Sequence, residues 1–215
     1  MLNMNDASGF IFDCDGTLID SLGAWDQAEQ ELFARSGPLT REQEDEIHSA
    51  PIEEAARILH EKYGVMESAE AVLAHLDGVL VPFYRDKCEA LPGACDFVRK
   101  VSDAGVPCVV LSSSPRRYLE AGLRRVGILD CFRELLSTDE VGCSKQDFLI
   151  YERALDVMGS TKADTWAVDD APYAIGVMRD FGLNTIAVGN GCDAAREQLL
   201  RERSTLFVGS LAELV

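Results

Sequence analysis

Six polar residues of this chain are of the types that carry out phosphoryl transfer. They are Asp13, Asp15, Ser112, Lys145, Asp169 and Asp170. One carboxylate can attack phosphorus covalently, and a second can protonate the leaving oxygen and later activate water. A lysine can neutralise phosphoryl oxygens, while a serine hydroxyl and backbone N–H groups hold the oxygens that remain. If these side chains lie together, phosphoryl transfer is the chemistry they predict.

Four of the six side chains are carboxylates. Four carboxylates placed together are electrostatically unfavourable unless a positive charge lies among them. Mg²⁺ is the natural choice, because it prefers hard oxygen ligands and keeps waters that a phosphate can displace. The sequence therefore predicts a Mg²⁺ site in which the metal and the lysine both stabilise phosphoryl oxygens.

Each carboxylate pair and the serine directly follow a predicted strand, and Lys145 lies in a loop just before a predicted helix. Short apolar strands alternate with amphipathic helices, which predicts an α/β fold with a parallel sheet covered on both faces. The predicted strands are 9–12, 106–111, 135–136, 165–168, 185–188 and 206–208, and the predicted helices are 118–126, 148–158, 171–181 and 194–201. Ligands bind at the carboxyl ends of such strands, so the six residues are expected at one edge of the sheet.

Between about residues 21 and 87 the pattern changes to helical spacing with few strand signals. Thr40 followed by Gln43, and Ser68 ahead of an acidic turn, have the pattern of helix N-caps. We interpret this segment as a small helical bundle inserted into the α/β fold. The expected division is a core of residues 1–17 and 91–215 and a helical cap of residues 18–90.

The run from Asp13 to Leu18, DCDGTL, matches a D-x-D-G-T motif after an apolar strand, and Ser112, Lys145 and Asp169–Asp170 follow in order. With this set of motifs the chain resembles phosphatases of the haloacid dehalogenase superfamily. The similar branch is that of β-phosphoglucomutase and phosphoglycolate phosphatase, which carries a helical cap after the first strand. The resemblance covers essentially the whole chain. It implies a Rossmann-like, three-layer α/β core with an inserted α-helical bundle.

The resemblance also implies roles for individual residues. Asp13 corresponds to the nucleophile and Asp15 to the general acid/base. Ser112 corresponds to the residue that holds a phosphoryl oxygen, and Lys145 to the lysine that bridges the nucleophile and the phosphate. Because the dehalogenases do not need the second acid, Asp15 indicates chemistry on a phosphate ester.

For the metal, the resemblance implies Mg²⁺ held by Asp13, by the backbone carbonyl of Asp15 and by Asp170, with Asp169 close to the ion or to one of its waters. Arg116 follows the serine run near the expected pocket mouth and could bind a distal anionic group. The residues assigned to substrate binding are Gly16, Thr17, Ser113, Arg116 and Trp25.

The chain departs from the family pattern at several positions. Gln146 follows Lys145 where the family often has proline, and Ala171 follows Asp170 where a serine is usual. Trp25 stands where sugar-phosphate mutases carry a histidine, and either lines the substrate pocket or packs in the cap core. The stretch 48–52 lacks the basic residue that mutases use to hold a second phosphate. Both absences favour a phosphatase over a mutase.

The 20 basic and 37 acidic residues give a net charge of -17, which disfavours nucleic acid and anionic membranes as partners. The seven cysteines form no C-x-x-C pair, which fits reduced thiols in the cytoplasm. The first residues lack a signal-peptide pattern, and no apolar run is long enough for a membrane span. We expect a cytoplasmic monomer or weak homodimer that acts on a small phosphorylated metabolite.

Two alternatives stay open at this point. One is a phosphosugar mutase of the same fold. The other is a non-enzymatic protein that accepts a phosphate on aspartate, or only binds its ligand. Receiver domains combine similar residues, but they are roughly half as long and present the acidic pair first. No G-x-G-x-x-G follows the first strand, which disfavours a dinucleotide enzyme.

Overall fold

The computed structural model describes residues 7–40, 42–43, 46–47 and 50–215. Its six strands are β1 Gly9–Phe12, β2 Cys108–Ser112, β3 Glu134–Ser137, β4 Thr165–Asp169, β5 Asn184–Val188 and β6 Leu206–Val208. They form one parallel sheet in the order β3-β2-β1-β4-β5-β6. The predicted α/β class is confirmed, and β1 lies in the middle of the sheet.

The helices described are α1 Leu22–Ser36, α2 Ile52–Tyr63, α3 Ala69–Asp86, α4 Ala94–Asp103, α5 Arg116–Arg125, α6 Thr138–Val141, α7 Phe148–Met158, α8 Pro172–Phe181 and α9 Ala194–Arg203. Two short 3₁₀ helices cover Leu129–Cys131 and Leu211–Leu214. The bounds of β1, β6 and α7 agree with the prediction. Helix α4 was not predicted, although its buried side chains Phe97, Val98 and Val101 have helical spacing. In the described residues no helix has the length and apolar character needed to cross a lipid bilayer.

Alternate residues of the central strand face different layers of the core. Phe10 and Phe12 pack in the cluster that contains α4 and α5, whereas Ile11 packs in the cluster that contains α7 and α8. All four residues of β1 are buried, as expected for a strand covered on both faces. The three-layer arrangement predicted from the sequence is therefore confirmed.

Helices α1, α2 and α3 pack against one another, and α3 also packs against α5 of the α/β layers. Ser68 caps α3 by accepting a hydrogen bond from Ala71 N, and Thr40 and Gln43 exchange the two hydrogen bonds of a capping box. An inserted helical bundle is thus present. The exact division at residues 17/18 and 90/91 stays a prediction, and of the stretch 48–52 His48 and Ser49 lie outside the described residues.

The two connections between the bundle and the sheet run side by side. Ile19 forms an antiparallel bridge with Ala90. Asp20 N donates to Glu89 O at 3.0 Å, and Leu91 N donates to Leu18 O at 2.9 Å. The chain therefore leaves the α/β layers and returns to them at one place, next to the loop that follows β1.

Candidate active site

The parallel sheet places three polar loops next to each other at its carboxyl edge. Asp13 follows the last residue of β1, Ser112 ends β2 and Asp169 ends β4. Because β1 pairs with both β2 and β4, their ends are adjacent. Asp13 N continues the ladder by donating to Val168 O at 2.9 Å. The ends of β1, β2 and β4 therefore meet at the carboxyl edge of the sheet, where the sequence predicts them.

Lys145 connects two of the buried carboxylates. Its Nζ donates to Asp13 Oδ1 at 2.6 Å and to Asp169 Oδ2 at 2.9 Å. Burial lowers the pKa of Lys145, but Asp13 and Asp169 outweigh it and raise that pKa well above its usual value. The loop itself is held by Tyr151, whose hydroxyl donates to the Lys145 carbonyl at 2.7 Å. Lys145 is thus a fixed, buried cation.

Asp13, Asp169 and Asp170 form a compact acidic cluster, with one carboxylate oxygen of each within 4.8 Å of the others. Burial raises the pKa of Asp13 well above its usual value; Asp169 and Asp170 add to the rise and Lys145 opposes it. Burial, together with Asp169, raises the pKa of Asp170 to about 6. In the described residues Lys145 pairs with Asp13 and Asp169, and Arg196 pairs with Asp170, so three carboxylates face two cations.

The cluster passes a simple test for a divalent cation. Asp13 Oδ2 is buried and has no hydrogen-bond partner within the described residues. An unpartnered carboxylate oxygen in the interior is costly unless a ligand satisfies it. The donors are hard oxygens, which suit Mg²⁺. The residues present therefore fit the ion that the sequence predicts.

Asp15 belongs to a separate network, made of hydroxyl groups. Its Oδ1 accepts from Ser21 Oγ at 2.6 Å and from the phenol of Tyr84. Its Oδ2 accepts from Ser114 Oγ at 2.6 Å and from Ser112 Oγ at 3.4 Å. Four neutral donors, from both the bundle and the sheet, thus orient this carboxylate.

Gly16 and Thr17 bring the DCDGTL turn against Asp170. Gly16 has φ of +81°, a conformation that favours glycine. A Cβ there would lie 3.0 Å from Asp170 Oδ2. Thr17 Oγ1 donates to Asp170 Oδ1 at 3.4 Å, and Asn190 Nδ2 donates to Gly16 O at 2.7 Å. These contacts fix the turn next to the acidic cluster.

Asp169 and Asp170 differ in their surroundings. Asp169 Oδ1 accepts from Ala171 N at 2.8 Å, so this residue also organises the start of α8. Asp170 Oδ2 accepts from Arg196 at 2.7 Å, and the same arginine donates to the Asp170 carbonyl at 3.1 Å. Arg196, on α9, is a second cation next to the cluster.

Arg116, whose role in substrate binding stays a prediction, is bound by groups outside the acidic cluster. Its guanidinium donates to Glu134 at 2.6 Å, to Glu140 at 2.7 Å and to the Leu135 carbonyl at 2.7 Å. These partners lie around β3 and α6, so the arginine is held at the side of the sheet. The neighbouring Arg117 is held by Asp77 of α3 at 2.7 Å.

Trp25 and Ser113 each lie next to residues that bind Asp15. Trp25 is half-buried, packs edge-on against Tyr118 with ring centroids 6.1 Å apart, and donates through Nε1 to Tyr84 Oη at 2.8 Å. It therefore belongs to the contact between the bundle and α5. Ser113 is half-buried and lies between Ser112 and Ser114 in the loop after β2.

Sequence reasoning missed several side chains of the site: Ser21, Tyr84, Ser114, Asn190 and Arg196. Ser114 lies two residues after Ser112, and the serine run after a strand was a usable signal for it. Tyr84 is 69 positions from Asp15 in the chain. No local pattern indicates such a contact.

Comparison with known proteins fixes the family. Residues 7–182 match the sequence model of the family described as haloacid dehalogenase-like hydrolase. The chain belongs to this family. As a haloacid dehalogenase-like hydrolase it is an enzyme, and it is phosphatase-like, since the curated relatives it matches include phosphatases.

Two of those relatives match this haloacid dehalogenase-like hydrolase over most of their length. Hexitol phosphatase A of Escherichia coli is 27% identical and is aligned over 87% of this chain and 86% of its own. Validoxylamine A 7'-phosphate phosphatase of Streptomyces hygroscopicus subsp. limoneus is 25% identical over 86% of both chains. The crystal structure of β-phosphoglucomutase from Clostridium difficile superposes with a TM-score of 0.77 at 18% identity, covering 97% of this chain and 93% of that one. This last likeness establishes the fold alone.

Proposed function

We propose that the protein is a Mg²⁺-dependent phosphatase that hydrolyses a small phosphorylated metabolite through an aspartyl-phosphate on Asp13. The observation that carries the proposal is the state of the Asp13 carboxylate. One of its oxygens is held by Lys145 at 2.6 Å and the other is buried without a partner. A nucleophile and a metal ligand both need a lone pair that no hydrogen bond already occupies.

The reaction has two steps. A carboxylate oxygen of Asp13 attacks phosphorus, the bond from phosphorus to the ester oxygen breaks, and Asp15 gives its proton to the departing alcohol. Asp15 then takes a proton from a water whose oxygen attacks the same phosphorus. The bond from phosphorus to Asp13 breaks, inorganic phosphate leaves and both carboxyl groups return to their starting states.

Mg²⁺ would be held by Asp13, Asp170 and the backbone carbonyl of Asp15, with Asp169 next to the ion or to one of its waters. The ion would supply positive charge for the phosphoryl oxygens and would favour the ionised form of the carboxylates around it. Lys145 and Ser112 hold further phosphoryl oxygens. Arg196 competes for Asp170, and its contact is the one we expect to change when the ion is present.

The substrate is expected to be small, because helices α1–α3 pack beside the carboxyl edge of the sheet and limit the space above it. Relatives named for phosphatase activity on a hexitol phosphate and on validoxylamine A 7'-phosphate support a phosphorylated small molecule. A cytoplasmic location is part of the proposal, since all seven cysteines are free thiols.

A phosphomutase of the same fold is less well supported. The tryptophan at the position of the mutase histidine cannot exchange a proton in the pH range of enzymes. Its N–H donates to Tyr84 rather than facing the acidic cluster. A mutase would also need a site for a second phosphate. Arg116 and Arg117, which could supply the positive charge for such a site, are both bound by carboxylates.

The test is Mg²⁺-dependent phosphate release from p-nitrophenyl phosphate, with Asp13→Asn as the inactive variant and Asp164→Asn as the matched control. Asp164 precedes β4 at the opposite edge of the sheet, where it accepts from Thr161. Activity that needs Mg²⁺, persists in D164N and disappears in D13N supports the proposal, and a screen of phosphorylated metabolites then identifies the substrate. Equal activity in D13N and the wild type would exclude the aspartyl-phosphate.

A further inference from the structure

Tyr84 lies at the junction between the helical bundle and the acid/base residue. It is in the last turn of α3 and is fully buried. Its phenol contacts Asp15 Oδ1, which also accepts from Ser21. Of the four donors to Asp15 in the described residues, Tyr84 is the one on a bundle helix, because Ser21 precedes α1, Ser112 ends β2 and Ser114 follows β2.

The direction of the hydrogen bond is fixed by Trp25. The indole nitrogen is a donor only, and it donates to Tyr84 Oη at 2.8 Å. The phenol has one proton, and with its oxygen accepting from Trp25 that proton is available to Asp15. Burial, followed by the charge of Asp15, raises the pKa of Tyr84 well above its usual value, so the phenol keeps its proton.

The ring of Tyr84 has little freedom to move. It stacks on Tyr118 with centroids 5.3 Å apart and planes 7° from parallel, and it meets Phe83 edge-on. Gly122 of α5 lies so close that a Cβ there would be 3.0 Å from Tyr84 Cδ1. Tyr118 is itself bound to Asp77 of α3. The phenol is therefore held rigidly with respect to both the bundle and the sheet.

We infer that Tyr84, oriented by Trp25, is a positioning residue that holds Asp15 where it can deliver a proton to the leaving group. The inference rests on the proposed function and adds to it a residue outside the family motifs. Tyr84 acts through Asp15, so its removal should impair the step in which the leaving group needs a proton. Binding of the phosphoryl group should be spared, since Lys145 and Ser112 are untouched.

Misplacement of Asp15 should change how kcat/KM depends on the leaving group, whereas a loss of folded protein should not. A p-nitrophenolate departs without help from an acid, whereas a phenolate without the nitro group depends more on protonation. The value of kcat/KM reports the steps up to release of this leaving group. The ratio of kcat/KM for p-nitrophenyl phosphate to that for phenyl phosphate therefore measures how well Asp15 is placed, and a lower fraction of folded enzyme cancels in the ratio.

The experiment compares Tyr84→Phe with Tyr118→Phe, a matched control. Both substitutions remove one buried phenol oxygen at the same contact, but the Tyr118 phenol donates to Asp77 rather than to Asp15. In Y84F we expect the ratio to rise about tenfold, since general-acid catalysis contributes roughly 10²–10⁴-fold and a misplaced acid loses part of it. In Y118F the ratio should stay at the wild-type value.

A second variant, Trp25→Phe, removes the donor that orients the phenol and should raise the ratio about threefold, a fraction of the effect of general-acid catalysis. If thermal unfolding shows that Y84F does not fold, the ratio measured for W25F becomes the test of the role of Tyr84. An unchanged ratio in folded Y84F, or in W25F when Y84F is unfolded, overturns the role of Tyr84 while D13N still shows the phosphatase to be real. If the wild type has no hydrolysis that depends on Asp13, the proposed function fails and the inference fails with it.

Discussion

Lys145 donates to Asp13 at 2.6 Å, and both side chains are almost completely removed from solvent. The same ammonium group reaches Asp169 at 2.9 Å. Two carboxylates of the cluster thus share one lysine, while the third, Asp170, is paired with Arg196. Removing Lys145 would leave buried carboxylates without a partner, a situation that costs far more than an exposed ion pair gains.

Lys145→Met keeps most of the side-chain length and deletes the charge. We expect kcat/KM to fall by about 10²–10³-fold, the loss typical of removing one preorganised donor to a developing negative charge. Without Mg²⁺, the free energy of unfolding should fall by about 3–5 kcal/mol. Steady-state kinetics and urea unfolding measure the two effects. Lys100→Met, which affects an exposed amine bound to the Leu214 carbonyl, is the control, and wild-type activity in K145M would contradict the assignment.

Mg²⁺ should stabilise the folded protein, because the acidic cluster forms only on folding. At about 100 times its dissociation constant, a ligand adds about 2.7 kcal/mol, which corresponds to a rise in Tm of roughly 5–10 °C for a chain of this size. Asp170→Asn should abolish most of this rise and Asp164→Asn should leave it intact. Thermal unfolding in Mg²⁺ and in EDTA makes the comparison. Superimposable curves for the wild type would argue against the metal site.

Gly122→Ala tests the contact between the bundle and α5. The new Cβ would lie 2.7 Å from Ile19 Cδ1 and 3.0 Å from the ring of Tyr84, so we expect a loss of about 1–3 kcal/mol in the free energy of unfolding. Gly78→Ala is the matched control, since Gly78 is exposed within α3 and its Cβ would meet nothing within 4 Å. There we expect a gain of about 0.5–1 kcal/mol. Equal effects in chemical denaturation would mean that α5 and the bundle do not pack as described.

Arg116→Gln should change kcat/KM by less than about threefold while lowering the free energy of unfolding by about 1 kcal/mol, because the side chain joins exposed carboxylates at the side of the sheet. The measurement is kinetics on the best substrate from the metabolite screen. A rise of about tenfold in KM, with kcat unchanged, would show that the arginine binds the substrate after all, since such a change reports lost uniform binding.

The strand ends were predictable because their signals are local. Asp13, Ser112 and Asp169 each follow an apolar run, and the geometry of a parallel sheet then brings them together. Lys145 was placed with them because it lies in a loop just before a predicted helix, and the family motif then implied its role. For these residues, sequence order alone determines which edge of the sheet they reach.

The rest of the site depends on contacts between distant segments. In the sequence, Tyr84 occupies an ordinary apolar position of an amphipathic helix. Its phenol meets Asp15 only because α3 packs on α5. Arg116 was assigned to the pocket mouth because it lies close to Ser112 along the chain, and that role stays a prediction. Glu134 and Glu140, on neighbouring elements, bind it first.

The bridge between Ile19 and Ala90 has a consequence for how such chains can be altered. Antiparallel bridged residues lie about 5 Å apart, so the whole helical segment between them closes a loop whose ends already touch. Removing it and joining the two ends with a short turn would leave the sheet and its hydrogen bonds intact, and a different module could be spliced in at the same point. The α/β layers and the inserted segment can in this sense be altered separately, at a single point of the chain.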